Sequence, residues 1–344
     1  MAGRRRWTAL ALVAACALPG CGGPAPAAQA TCGEPLQVEP GELRTVLRAD
    51  WFGPDAALSF SAALPDGSVL VSYDTNPYVP GDDEGNLEER EPGLVVLRPD
   101  GSCEPFVLPS VDGRHIGEDA RPVAVDAAER LYLYDGAAHR VVRGPTDGTW
   151  ETVATIPVDV AEQTGVSAVA IGADDEVYVL SGFRISTVAA DGTLVPAAGN
   201  GEDFLGMKGL GPLPRSATSA SLPFVREIEV LPTGGLVMAS RSTLLTLKDG
   251  TLDVLADAAS TAGQEGAFVR RRWLGGMHPL PSGDLLVSDA GGKRILRLSG
   301  DGRSSVFLTE SPVSLVSANP ALADGRGLLL RGQGILAVYG IPPG

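Results

Sequence analysis

The residues able to do chemistry are few and scattered. The chain holds three histidines, His115, His139 and His278. Asp82, Asp83, Glu84, Glu88, Glu89 and Glu91 crowd one stretch beside Tyr78, and an oxygen-rich cluster of this sort can hold calcium. It lacks the regular spacing of a calcium loop, so a solvated acidic loop is the expectation and a calcium or other divalent ion the alternative. Arg270, Arg271 and Arg272, followed by Trp273, form the one dense cationic spot after the first twenty residues. Such a spot suits a carboxylate or phosphate, against the plainer reading of arginines that offset neighbouring acids. No Gly-x-Ser-x-Gly elbow, phosphate loop or paired metal motif is present.

The ends of the chain bound where this chemistry takes place. Arg4, Arg5 and Arg6 precede an apolar run, Trp7 to Leu18, which is too short for a permanent span and reads as a signal peptide over 1–20. The run ends in Leu18-Pro19-Gly20-Cys21, which resembles the lipobox of bacterial lipoproteins. The resemblance implies export, cleavage and lipidation of Cys21, and hence a protein anchored to the membrane and facing outside the cytoplasm. An ordinary secreted protein cut near Ala27 to Ala30 is the alternative. Residues 21–33 read as a flexible tether and 34–344 as one folded domain. Cys32 and Cys103 are left over after the leader, and an even pair in an oxidising compartment favours a disulfide. Neither sits in a Cys-x-x-Cys spacing, which argues against zinc. Loss of the leader takes the formal charge from −15 to −18, since it removes three arginines and no acid. That field disfavours nucleic acid as a partner.

The elements that must position any site come from a phrase repeated six times. In the clearest copy Pro122 to Asp126, Leu131 to Tyr134, His139 to Arg143 and Trp150 to Thr155 read as four strands with period-two alternation and tight polar turns. Such self-similarity marks an array whose units bury their apolar faces on one another. Pro122, Val125 and Asp126, then Leu131, Tyr132 and Asp135, then His139, Arg140 and Val141 make this copy resemble a blade of the NHL-repeat β-propellers. The resemblance implies an all-β, six-bladed propeller, in which His139 is a structural position, and it specifies fold rather than function. The last copy gives Ser314 to Ala318, Leu328 to Leu330 and Ile335 to Tyr339 and lacks an outer strand. Leu43 to Leu47 resembles the missing strand, so the N-terminal segment is expected to close the last blade. Cys32 and Cys103 then fall on adjacent outer strands.

Short Pro-Asp-Gly turns occupy one face of such a disc, while Asp74 to Gly93, Pro109 to Arg121, Gly199 to Pro223 and Ala258 to Arg272 are assigned to the other. That elaborated face is the expected ligand face, with Tyr78, Asp82, Asp83, His115, Arg270, Arg271, Arg272 and Trp273 as candidate contacts. The function expected is a cell-surface binding or scaffold module, monomeric, for a protein or cell-envelope ligand. The alternative is a metal-assisted lyase or hydrolase in the central channel. There Glu227 is the acid at the start of an inner strand and His278 ends another, with no metal assigned.

Overall fold

The computed structural model describes residues 30–31, 33–52, 56–64, 66–74, 92–117, 120–126, 128–158, 166–172, 174–202, 212–268, 274–280, 282–289, 292–300, 302–309, 317–321, 327–331 and 335–341. They form six antiparallel sheets around one axis, a six-bladed β-propeller. From the axis outward, blade 1 consists of Ala57–Ala63, Val69–Asp74, Pro92–Leu97 and Ser102–Pro105. Blade 2 follows as Arg121–Val125, Leu131–Asp135, Arg140–Gly144 and Glu151–Thr155, and blade 3 as Val166–Ile171, Val177–Ser181, Arg184–Val188 and Leu194–Ala198. Blade 4 runs through Glu227–Val230, Leu236–Ser240, Thr243–Lys248 and Thr251–Asp257. Blade 5 runs through Leu274–Pro279, Leu285–Asp289, Arg294–Leu298 and Ser304–Leu308, and blade 6 begins with Ser317–Ala321, Gly327–Arg331 and Ile335–Gly340.

Burial follows from the layering. Second strands lie between neighbouring blades and are covered on both faces, so Leu131–Asp135, Leu236–Ser240 and Leu285–Asp289 are buried at every residue. Apolar side chains gather in six clusters, one in each interface between neighbouring blades. The turns are set by short polar residues. Asp66, Asp100 and Asp191 each accept a hydrogen bond from the backbone N–H two residues on, at 2.9, 2.9 and 3.0 Å.

Closure is as expected. Leu43–Arg48 pairs antiparallel with Ile335–Gly340, from Leu43 opposite Tyr339 to Arg48 opposite Ile335, and supplies the outer strand of blade 6. Three details differ from the sequence reading. Ala30–Thr31, placed there in the tether, forms a short fifth strand on blade 1 opposite Cys103 and Ser102. The inner strand of blade 6 is Ser317–Ala321, three residues later than expected, and contains Pro320. An inner strand has one free edge along the axis, where a proline removes no ladder bond.

The third difference concerns the insertions. Their described parts turn down the outer wall between blades instead of standing on one face. The hairpin Ser110–Val111/Arg114–His115 brings Asp112 within 3.2 Å of Thr152 on the outer strand of blade 2. Arg215–Ser216 adds to the outer edge of blade 4, and Gly266 donates to the Ser304 carbonyl at 3.2 Å on blade 5.

Candidate functional site in the axial channel

The six inner strands carry equivalent residues at equivalent register. One position, two residues before the turn into the second strand, is Ala62 opposite Leu70, Ala124 opposite Tyr132 and Ala170 opposite Tyr178 in blades 1 to 3. In blades 4 and 5 it is Glu229 opposite Val237 and His278 opposite Leu286, while in blade 6 a register shift at Pro320 brings Asn319 opposite Leu329. Blades 1 to 3 therefore have alanine where blades 4 and 5 have a carboxyl and an imidazole.

The position faces the next blade. Ala62 packs with Leu131 and Leu133 of blade 2, and Ala170 with Ile228 and Met238 of blade 4. Ile228 and Val230 pack toward blade 3, so strand alternation turns Glu227 and Glu229 toward blade 5. There the inner strand begins Leu274-Gly275-Gly276, with two residues that have no side chain.

Glu229 and His278 are partly exposed, and neither side chain makes a hydrogen bond among the described residues. Both sit on inner strands of neighbouring blades, two residues before a short turn. Burial, reinforced by the Glu227 carboxylate, holds the Glu229 carboxyl well above the usual carboxylate range. Burial pushes the His278 imidazole down. Both shifts favour the uncharged form of the group, a carboxylic acid for Glu229 and a neutral imidazole for His278.

The Asp of the repeat pattern has another task. Asp135 closes on Arg140 at 2.9 Å and Asp289 on Arg294 at 2.9 Å, each a buried carboxylate at the end of a second strand meeting the start of the third. The Gly292 N–H donates to Asp289 at 3.0 Å, and Arg294 reaches the Ala267 carbonyl at 2.8 Å, which ties the blade 4 to blade 5 connector to the sheet. A Cβ at Gly292 would lie 2.5 Å from the Asp289 carboxylate, so the turn requires glycine. These pairs are structural.

The sequence candidates are placed elsewhere. His115 is exposed on the outer-wall hairpin, 3.0 Å from the Ser110 hydroxyl. His139 ends a tight turn with φ 51°, and its carbonyl accepts from Ile156 at 2.7 Å, in keeping with a structural residue. Glu227 is partly exposed and is not without a partner. Cys103 is buried. Cys21, Cys32, Tyr78, Asp82, Asp83, Arg270, Arg271, Arg272 and Trp273 lie outside the described residues. Among the described residues no group of three or more His, Cys, Asp or Glu is placed to hold a metal ion. A cavity of about 500 Å³ between blades 3 and 4 has Tyr178 on its wall, but the Tyr178 hydroxyl is committed to Glu176 at 2.6 Å.

Glu229 escaped the sequence reading although the signal was present. Leu64-Pro65-Asp66-Gly67, Leu231-Pro232-Thr233-Gly234 and Leu280-Pro281-Ser282-Gly283 align as turns, and the residue two before each is Ala62, Glu229 and His278.

Comparisons with known proteins reach the fold only. No family model matches the chain, and no curated protein matches its sequence. Among solved structures, a protein of unknown function from Bacteroides thetaiotaomicron aligns at 12% identity over 90% of this chain and 75% of its own, with a TM-score of 0.57. A structure named a "putative gluconolactonase" aligns at 13% identity over 88% of this chain and all of its own, with a TM-score of 0.54. Both likenesses concern the β-propeller fold.

Proposed function

We propose that the protein is an exported, lipid-anchored propeller that binds a small polar ligand in its axial channel, with Glu229 and His278 as the recognising groups. The observation that carries this reading is two titratable side chains at one register in neighbouring blades, without side-chain hydrogen bonds among the described residues, where three other blades have alanine. Two titratable side chains that keep some exposure on the inner strands are available to pair with a ligand. The test is a ligand-observed NMR screen of small polar metabolites against the chain from Gly22. Compounds that bind should lose at least about tenfold in affinity in Glu229→Gln/His278→Gln, the scale of losing hydrogen bonds to buried groups. Hits indifferent to both substitutions would remove the channel from the reading.

A second reading, proton-transfer catalysis of the lyase or hydrolase type, is favoured by the directions of the two shifts, each toward the uncharged form. A neutral carboxylic acid and a neutral imidazole are the starting forms of a general acid and a general base. The described donors do not fit a metal, so no step is assigned to one. Turnover of a bound compound that disappears in His278→Gln while binding persists would separate catalysis from binding.

Export, the lipid on Cys21 and a Cys32–Cys103 disulfide belong to this proposal. Supporting the disulfide, Ala30 lies opposite Cys103 and the Cys103 side chain is not without a partner. Cys21→Ser should release the protein from membranes while Cys16→Ser should not. In the same preparation thiol labelling without reductant should leave Cys103 unmodified. Retention of Cys21→Ser on membranes rejects the anchor, and ready labelling of Cys103 rejects the disulfide.

A further inference from the structure

Turns of one form carry blades 2, 3 and 4 from the inner to the second strand. Asp126, Gly172 and Leu231 each donate an N–H to the carbonyl of Arg130, Glu176 and Gly235 in turn, and each accepts from Glu129, Asp175 and Gly234. Those last three hold φ of 65°, 60° and 82°. Arg130, Glu176 and Gly235 are therefore equivalent, as are Glu129, Asp175 and Gly234. Between blades 2 and 3 the pattern closes the wedge where the blades diverge, because Arg130 reaches across to Asp175 at 2.6 Å. Between blades 3 and 4 the same two places hold Glu176 and Gly234. That wedge is open, and the cavity of about 500 Å³ is lined by both residues.

The Glu176 carboxylate is fixed at the cavity wall by the Tyr178 hydroxyl, which donates to it at 2.6 Å. Burial and then the bond to Glu176 push the Tyr178 phenol up to about 12, so it remains a donor. Among the described residues no ion pair joins Glu176 to blade 4. The other charged groups on the walls are Lys248 and Asp249, which are adjacent and opposite in sign. They offset one another and leave the Glu176 carboxylate as the uncompensated charge. Ala197 and Leu247 supply apolar wall, and the connector closes the outer side, with Gly199 donating to the Ala217 carbonyl at 3.0 Å and Ala217 to that of Gly250 at 2.9 Å. A cleft with apolar walls and a few fixed polar groups is the usual form of a small-molecule site.

We propose that this cleft binds a small organic cation, an ammonium or guanidinium compound whose charged end meets Glu176 as the Arg130 guanidinium meets Asp175 one wedge earlier. The ligand supplies the cation that the repeat lacks at this interface, and its apolar part lies against Ala197 and Leu247. The site shares no residue with the axial channel, so it stands or falls independently of the function proposed above.

Amide NMR of the ¹⁵N-labelled protein tests this with four probes of one size. Butylguanidinium and butylammonium should shift the signals of Tyr178, Gly235 and Gly250, while butanol and butyrate should not. Glu176→Gln should weaken binding of both cations at least about tenfold, the scale of losing hydrogen bonds to a charged group. Asp191→Asn, in an exposed short turn of the same blade, should leave it unchanged. Glu176→Arg/Gly234→Asp rebuilds the pair of the previous wedge and should abolish binding. A Cβ at Gly234 meets nothing within 4 Å, and Asp175 already holds the same backbone form. Butanol or butyrate acting as the cations do, shifts absent from the cleft, or full affinity in Glu176→Gln or in the rebuilt pair would each overturn the proposal. An equal loss in Asp191→Asn would reduce the effect to general attraction by an acidic protein and overturn it as well. If the rebuilt pair does not fold, Glu176→Gln against Asp191→Asn decides the matter.

Discussion

A chain that begins at Asp50 should lose its cooperative fold or self-associate. It lacks Leu43–Arg48, the outer strand of blade 6, whose Val46 and Leu47 are fully buried against blades 6 and 1. Burial of two such side chains is worth about 3 to 6 kcal/mol, a large part of the net stability of an ordinary domain. The exposed edge of Ile335–Gly340 is also a template for another chain. Circular dichroism melts with sedimentation velocity check this. A monomer with an unchanged melting temperature would show that the ring does not depend on the N-terminal strand.

The second large effect is expected at Asp289. Asp289→Ala removes a buried carboxylate and leaves the Arg294 guanidinium, itself largely buried, without its partner. It also frees the Gly292 N–H of the turn. Breaking one half of a buried pair costs about 3 to 5 kcal/mol, so denaturant unfolding should shift by that amount. By contrast, Asp66→Ala disrupts a pair with Arg98 in which the side chains are 51% and 35% exposed, and should cost under about 1 kcal/mol for that pair. Equal costs at both sites would contradict the structural role assigned to the repeat's aspartate.

What was legible in the sequence follows from what repeats. The alternation in Leu131–Asp135 and the Pro-Asp-Gly turns recur blade after blade, so the architecture and the strand at 43–48 could be read from internal comparison. Boundaries moved where local chemistry is ambiguous. Pro320 argues against a strand until the free inner edge is known, and the two-residue strand at Ala30 has no periodicity to detect. The site is the opposite case, because Glu229 and His278 are defined by departing from the alanines of blades 1 to 3. Their meaning needs the register that places them on one ring. The insertions were assigned to one face from connectivity alone, whereas Asp112 against Thr152 shows that a connector can fold down the outer wall.

Both channel groups should carry a stability cost with a distinct pH signature. Glu229 has a raised folded pKa, so the folded state holds its proton more tightly than the unfolded chain and stability falls as pH rises through that pKa. Glu229→Gln should therefore raise the melting temperature near neutral pH and have little effect below the ordinary carboxylate pKa. His278 has a lowered folded pKa, so its cost appears as pH falls below the ordinary imidazole pKa.

The measurement that bears most directly on the axial site is the titration of the Glu229 carboxyl carbon by ¹³C NMR, assigned through Glu229→Gln, in the presence and absence of a compound returned by the metabolite screen. The channel site predicts a midpoint well above that of an exposed glutamate, displaced when the compound binds. A midpoint in the ordinary carboxylate range, unmoved by any bound compound, would contradict it.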